Sequence, residues 1–380
     1  NNNIIMKKIP LCTPSIDNKE YEVLKKILKS KWLTHGHYNH LFEKNFAKYL
    51  GVRYALSLNS CTSALELSIK ANNLKKTDEV IVPSFTWVAS ANAIINGGAT
   101  PVFCDSDLNT RNTTAENIEK CITKNTKALM IVHYGGQTCE MDKILKLVKK
   151  YKIILIEDSA ETIGSKWKNK MAGSFGIGCF SFFPTKNITT GEGGMITSND
   201  KRFIDKCKLL IAHGIDKSTL QREGIKKPWV KISVLPGHNF RLSNLLAGIG
   251  YEQLKKLDKL NLQRKKVANK YFKYLKNVPQ IILPFTSKFA THTFQTFSIL
   301  VPKKKRENLL VYLNSRGIGA TVHFTPALHQ QKLYRKYKKN NTSLNNAEMI
   351  SARIVSLPLY PNMKDKDIIY VSNNLKKFFN

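Results

Sequence analysis

The sequence predicts an α/β protein: a large unit on a mostly parallel seven-stranded sheet, followed by a smaller C-terminal α/β unit. Three observations carry that expectation. Seven short apolar runs fall between residues 54 and 197, helical periods alternate with them, and the pattern changes character after Ser198. The boundary is drawn so that residues 1–245, including the N-terminal segment, form the large unit and residues 246–380 the small one.

The strands are expected at 54–58, 80–82, 101–104, 128–132, 153–156, 179–182 and 195–197. Between them, helices are expected at 86–95, 115–122 and 141–151. The last sets Met141, Ile144, Leu145, Leu147 and Val148 on one stripe against a lysine-rich face, the pattern of a helix packed on a sheet. Residues 203–212 read as helix and 214–237 as a long, polar, proline-bearing loop. From Leu242 helical periodicity runs to Leu275, with a break expected near Leu260 and Asn261. The last third carries strand candidates at 294–301 and 320–324, taken as antiparallel, and helices at 306–315 and 365–379. No internal repeat is visible.

Composition narrows the partners. The 380 residues carry 61 Lys and Arg against 27 Asp and Glu, a formal net charge of +34. Such a charge raises nucleic acid or an anionic membrane as a partner. Only 10 of the 61 are Arg, however, the side chain that reads guanine edges and stacks on bases, and the Lys are spread along the chain. A nucleic-acid-binding regulator that keeps the fold is therefore the second reading, and a small phosphate-bearing substrate would gain from the same field. No apolar run is long enough to cross a bilayer and no signal-peptide core opens the chain, so a cytoplasmic protein without a membrane partner is expected. Seven scattered cysteines with no Cys-x-x-Cys pair indicate neither a disulfide framework nor a zinc site, and no metal is expected.

Ligands of open α/β sheets sit at the carboxyl ends of the strands. The strand at 153–156 runs into Glu157-Asp158-Ser159-Ala160-Glu161, and that at 179–182 into Phe183-Pro184-Thr185-Lys186-Asn187. Asp158 and Lys186 taken alone describe a structural ion pair. They also meet the needs of pyridoxal-phosphate chemistry: an amine that forms a Schiff base with the cofactor aldehyde, and an acid facing the pyridine nitrogen that keeps the ring an electron sink. A phosphate would then need amides and hydroxyls at a helix start. Asn59-Ser60-Cys61-Thr62-Ser63 supplies them after the first strand, with Ser63 and Glu66 spaced as a capping box, and Ser181 adds a hydroxyl. Trp87, just past another strand, reads either as packing or as a platform for a flat ring.

These residues carry a resemblance. Glu157-Asp158-Ser159-Ala160, Phe180-Ser181-Phe182-Phe183-Pro184-Thr185-Lys186-Asn187 and Thr190-Gly191-Glu192-Gly193-Gly194 come in the order and spacing of the DegT/DnrJ/StrS family of nucleotide-sugar aminotransferases. That family has the aspartate-aminotransferase fold, fold type I of the pyridoxal-phosphate enzymes. Trp32-Leu33-Thr34-His35-Gly36 and Gly237-His238-Asn239-Phe240-Arg241-Leu242 support the likeness, which extends from about Ile9 to the C-terminus.

The resemblance implies roles. Lys186 is the Schiff-base lysine and, once released, the acid and base of the reaction; Asp158 holds the pyridinium; Trp87 stacks on the ring; Thr62, Ser63 and Ser181 surround the phosphate. Asn239 corresponds to a position that reaches the neighbouring subunit's cofactor, although Asn239 and Arg241 equally suit a cap before the next helix. A homodimer with shared active sites, L-glutamate as donor and pyridoxamine 5'-phosphate as the alternate cofactor form follow. The stretch from Thr189 to Gly194, and Val322-His323-Phe324-Thr325-Pro326-Ala327-Leu328-His329, are similar to the perosamine, viosamine and 4-amino-arabinose synthases, which aminate C4 of a nucleotide-linked keto sugar. The alternative is C3. Thr34, Glu161, His323 and His329 are candidate substrate contacts, the two histidines reading more readily as satisfied side chains beside a strand end. Glu161 departs from the Gln or His of many relatives, Cys61 from their Gly, and Gly135-Gly136-Gln137 from an aromatic before a single Gly.

Overall fold

Burial on both faces is what turns the seven apolar runs into one sheet, and the computed structural model, which describes residues 8–216, 229–339 and 342–380, contains that sheet. Its strands are β1 (Tyr54–Leu58), β2 (Glu79–Pro83), β3 (Thr100–Cys104), β4 (Thr126–Val132), β5 (Ile154–Asp158), β8 (Ile177–Ser181) and β9 (Gly194–Ser198), in the order β1-β9-β8-β5-β4-β2-β3. Only β9 runs against the others. Between β5 and β8, the short β6 (Lys166–Trp167) and β7 (Lys170–Met171) pair with β10 (Ala290–Thr291) in a separate three-stranded sheet.

Helices cover both faces. Among them α3 (Cys61–Lys70), α4 (Val88–Asn96) and α7 (Lys201–Leu210) pack on one side, and α5 (Ala115–Glu119) and α6 (Met141–Tyr151) on the other. The lysine-backed stripe of α6 is buried through Met141, Ile144 and Leu147. Phe42 and Phe46 of α2 (His37–Leu50), which follows α1 (Asn18–Ser30), meet Phe180 and Phe182 and close the sheet near β8.

Two expectations for the second half are corrected. The helix α8 (Asn244–Leu275) is unbroken over 32 residues. Asn261 does not end it because its side chain leaves the helix sideways, donating to the Ile163 carbonyl (3.0 Å) and accepting from Asn187 (2.7 Å). The segment 320–324 is not a strand: only Thr321 pairs, with Ser356. Its partner belongs to β12 (Ile354–Leu357), which pairs antiparallel with β11 (Phe297–Leu300) and starts directly after α10 (Asn345–Arg353). No Gly or Pro separates that helix from that strand, so the sequence offered no punctuation between them. The helices α9 (Arg306–Asn314) and α11 (Asp365–Phe379) flank this pair, as expected. Part of the long loop at 214–237, residues 217–228, lies outside the described residues.

The N-terminal segment pairs with the C-terminal third of the chain. Ile9 pairs with residues on either side of Ile318 (2.7 and 2.8 Å), and the Leu11 carbonyl accepts from Leu359 (3.0 Å). This brings Leu11 and Cys12 to the cleft between the units.

Candidate active site

The carboxyl ends of β1, β2, β5 and β8 open on one cavity of about 380 Å³, closed from the other side by Gln295, Thr296, His323 and Phe324. Strand alternation decides which acid faces it. Glu157, itself fully buried, points away into a set of donors: the amides of Gly173, Phe175 and Gly176 (2.7–2.8 Å) and His133 Nε2 (3.0 Å). His133 Nδ1 accepts from the Cys139 amide (3.0 Å), which leaves the ring proton on Nε2 for Glu157.

Asp158 faces the cavity. Its Oδ2 accepts from Ser90 Oγ (2.8 Å) and its Oδ1 from the Ala160 amide (3.2 Å). Burial pushes the Asp158 carboxyl above the ordinary carboxylate range, and these two hydrogen bonds pull against it. Lys186 lines the same cavity from the turn after β8, where its amide donates to the Phe183 carbonyl (2.9 Å). Its Nζ lies 3.5 Å from Glu161 Oε1. Glu161 is fixed in turn by the Gly135 amide, 2.8 Å from Oε2. The neighbouring Gly136 has φ +106°, and a Cβ there would come within 2.8 Å of the Phe294 and Gln295 amides, so the doubled glycine lets this loop touch the small unit.

At the start of α3 the cap is Ser60, whose Oγ accepts from the Ser63 amide (3.1 Å). Ser63 is thus inside the first turn and not the cap expected from its spacing to Glu66; its hydroxyl donates to Asn59 Oδ1 (2.7 Å), and Glu66 pairs with Lys70 (2.7 Å). Ser60, Cys61 and Thr62 line the cavity in its place, with Ser181 opposite. The approach is close: a Cβ on Gly194 would lie 2.3 Å from the Ser60 carbonyl group. Trp87, 59% exposed, stands at the cavity wall beside Phe324, an open indole face and not a core side chain.

The remaining candidates divide. His323 lines the cavity, Nδ1 2.9 Å from Ser356 Oγ, and burial pushes its pKa down. His329 does not line it: Nδ1 meets Ser84 Oγ (2.6 Å) and Nε2 meets Glu348 (2.8 Å), so both ring nitrogens are engaged in the core. Thr34 and Asn239 are exposed and outside this cavity, the Asn239 carbonyl accepting from Asn59 (3.5 Å). Ser90 was invisible to sequence reasoning. It sits on α4 after β2, and only the sheet order β5-β4-β2 brings it over Asp158.

The sequence profile of the DegT/DnrJ/EryC1/StrS aminotransferase family matches residues 14–376. The chain belongs to that aminotransferase family. It is 37% identical over 378 residues to the GDP-perosamine synthase of Escherichia coli O157:H7, covering 98% of this chain and 99% of that one. Among solved structures it superposes on PseC of Helicobacter pylori, an aminotransferase of pseudoaminic acid biosynthesis, with a TM-score of 0.91 and 31% identity over 98% and 99% of the two chains. The PLP form of the Streptococcus pneumoniae protein Spr1654 gives a TM-score of 0.90 and 26% identity, covering 98% of each chain. The cavity of this aminotransferase suits pyridoxal phosphate. A desolvated carboxylate lies at its depth, an amine within it, an aromatic face at its wall, and a hydroxyl-lined helix N-terminus at one end.

Proposed function

We propose that this aminotransferase moves an amino group from L-glutamate to C4 of a nucleoside-diphospho-4-keto-6-deoxyhexose, giving a 4-amino-4,6-dideoxy sugar nucleotide. The observation that carries the reaction class is the convergence of Lys186 and Asp158 on one cavity at the carboxyl edge of the sheet. Support for C4 comes from the likeness to a GDP-perosamine synthase along nearly the whole chain.

When bound, pyridoxal phosphate supplies a carbonyl that exchanges amino groups and a protonated ring that draws electrons from the substrate carbon. The chain's own residues do the rest. The Asp158 carboxyl, held in place by Ser90 and the Ala160 amide, would face the ring nitrogen and stabilise its proton. Lys186 Nζ holds the cofactor at rest and, once free, carries a proton to and from the substrate carbon. Thr62, Ser181 and the first amides of α3 would hold the phosphate, with Ser63 acting through Asn59, and the Trp87 indole would cover the ring. Glu161, anchored on Gly135, sets the position of Nζ, and His323 faces the sugar from the small unit. The exposure of Asn239 suits contact with a second subunit's site, in a homodimer acting in the cytoplasm on a precursor of a surface polysaccharide.

The test is product analysis. The protein is incubated with glutamate and with UDP-, GDP- and dTDP-linked 3-keto and 4-keto sugars, and the new C–N bond is placed by NMR. Amination at C4 is expected; amination at C3 alone overturns the assignment. Lys186→Ala should lose the visible band of the lysine-bound cofactor and slow turnover by at least about 100-fold, the value of lost proton transfer alone.

A further inference from the structure

Outside the active-site cavity, the least satisfied charge among the described residues is Arg111. It is 4% exposed, and only one of its three guanidinium nitrogens has a partner: Nη1 donates to the Ser298 carbonyl (2.7 Å), while Nε and Nη2 are buried with none. No carboxylate pairs with it among the described residues; the one ionisable neighbour that favours its charge is the Tyr134 phenol, which stays neutral at ordinary pH. A buried guanidinium cannot escape by losing its proton, so its donors and its charge both call for a ligand.

Arg111 lines a crevice with Thr110, Tyr134, His292, Thr296 and Ser298. Its fittings are donors. His292 Nδ1 accepts from the Phe294 amide (3.0 Å), which leaves Nε2 as an N–H donor, and burial beside Arg111 holds the ring neutral, its pKa pushed down to about 3. No Asp or Glu lines the crevice. Its volume is about 10 Å³, room for one water-sized species. A space this narrow suits a monatomic ion better than phosphate, sulfate or an organic carboxylate. A water could take the orphaned N–H groups but would leave the charge unbalanced.

We infer that the crevice at Arg111 is a binding site for one small monovalent anion, chloride in solution. The site is separate from the catalytic cavity yet shares a wall with it. Thr296 lines both, and Tyr134, whose hydroxyl is 2.9 Å from Ser298 Oγ, precedes the Gly135 amide that anchors Glu161. A bound anion therefore braces the wall behind Glu161.

The test uses the cofactor-saturated enzyme. Chloride is titrated against gluconate at constant ionic strength while the melting temperature is followed. A saturable rise of roughly 3 °C or more is expected, since a ligand of the folded state stabilises by mass action. Arg111→Gln should make the response flat. Crystals of the wild-type enzyme grown with bromide in place of chloride should show an anomalous peak within contact distance of Arg111 and His292, a readout that stands even where the variant fails to fold. Equal melting temperatures in chloride and gluconate together with only a water, or a partner subunit's carboxylate, at Arg111 in the bromide crystals overturn the proposal.

Discussion

At Asp158 catalysis and stability pull in opposite directions. A carboxylate facing a ring nitrogen must be ionised, but this one is buried and its pKa in the folded chain lies above the ordinary value. The sign of the consequence follows from proton counting. Below the unfolded-state pKa both states are protonated and burial costs nothing. As pH rises past that value the unfolded chain releases its proton first, so the folded state loses stability with rising pH until the folded pKa is passed. An amide escapes it, and Asn can keep the geometry by accepting from the Ala160 amide and donating to Ser90 Oγ, whose other partner is Thr86. Cofactor-free Asp158→Asn should therefore melt a few degrees above the wild type at pH 7, with the gap closing as pH falls toward about 4. The same variant should bind cofactor yet lose most single-turnover transamination. A melting point below the wild type at pH 7, or near-normal turnover, contradicts this account of Asp158.

Among the elements, α8 is tied directly to the site, and Asn261 is its fastener. The side chain joins the helix to Ile163 and to Asn187, the residue after Lys186. Asn261→Ala removes both bonds and leaves the Asn187 amide and the Ile163 carbonyl short of a partner, a cost of about 1–3 kcal/mol, offset by a few tenths from the better helix propensity of Ala. Chemical denaturation should show a net loss of about 1–2 kcal/mol with unchanged far-ultraviolet circular dichroism, because the helix itself persists. The expected break at this residue shows where the sequence stops being informative: an Asn that bonds sideways and an Asn that ends a helix look alike in one dimension. Segments whose partners are local were legible. The stripe of α6 gives Met141–Tyr151, α11 gives Asp365–Phe379, and the doubly buried strands of the sheet announce themselves as unbroken apolar runs. In the site, Lys186, Asp158, Thr62, Trp87, Ser181 and Glu161 were legible because each lies at or just past a strand end that the sheet carries to one edge, whereas His323, on the opposite wall, was legible only through the family resemblance. Ser90, the engagement of His329 by Ser84 and Glu348, and the strand Ile354–Leu357 were not, since each depends on a contact across many residues of chain.

For the whole molecule the unspent feature is its charge of +34. Pairing does not change this net excess: exposed ion pairs such as Lys143 with Glu116 and Glu140, or Lys150 with Glu119, leave most lysines of the described residues without an acid partner. A field of one sign raises the local concentration of any polyanion of small size, and a nucleoside diphosphate linked to a sugar is such a substrate. Its range is set by salt, with a Debye length of about 30 Å at 0.01 M and about 8 Å at 0.15 M. The field acts on encounter and binding but not on the proton transfer at Lys186, which occurs after the substrate is seated among fixed groups. Raising ionic strength from about 0.01 to 0.3 M should therefore increase KM for the nucleotide sugar severalfold while kcat holds. Gluconate is the salt to use, because chloride would also titrate the Arg111 crevice. Duplex DNA, added at low salt, should act only as a weak competitor whose effect vanishes by about 0.15 M. A KM indifferent to salt, or a DNA complex that survives at that ionic strength, would mean that the lysines serve a partner other than the sugar nucleotide.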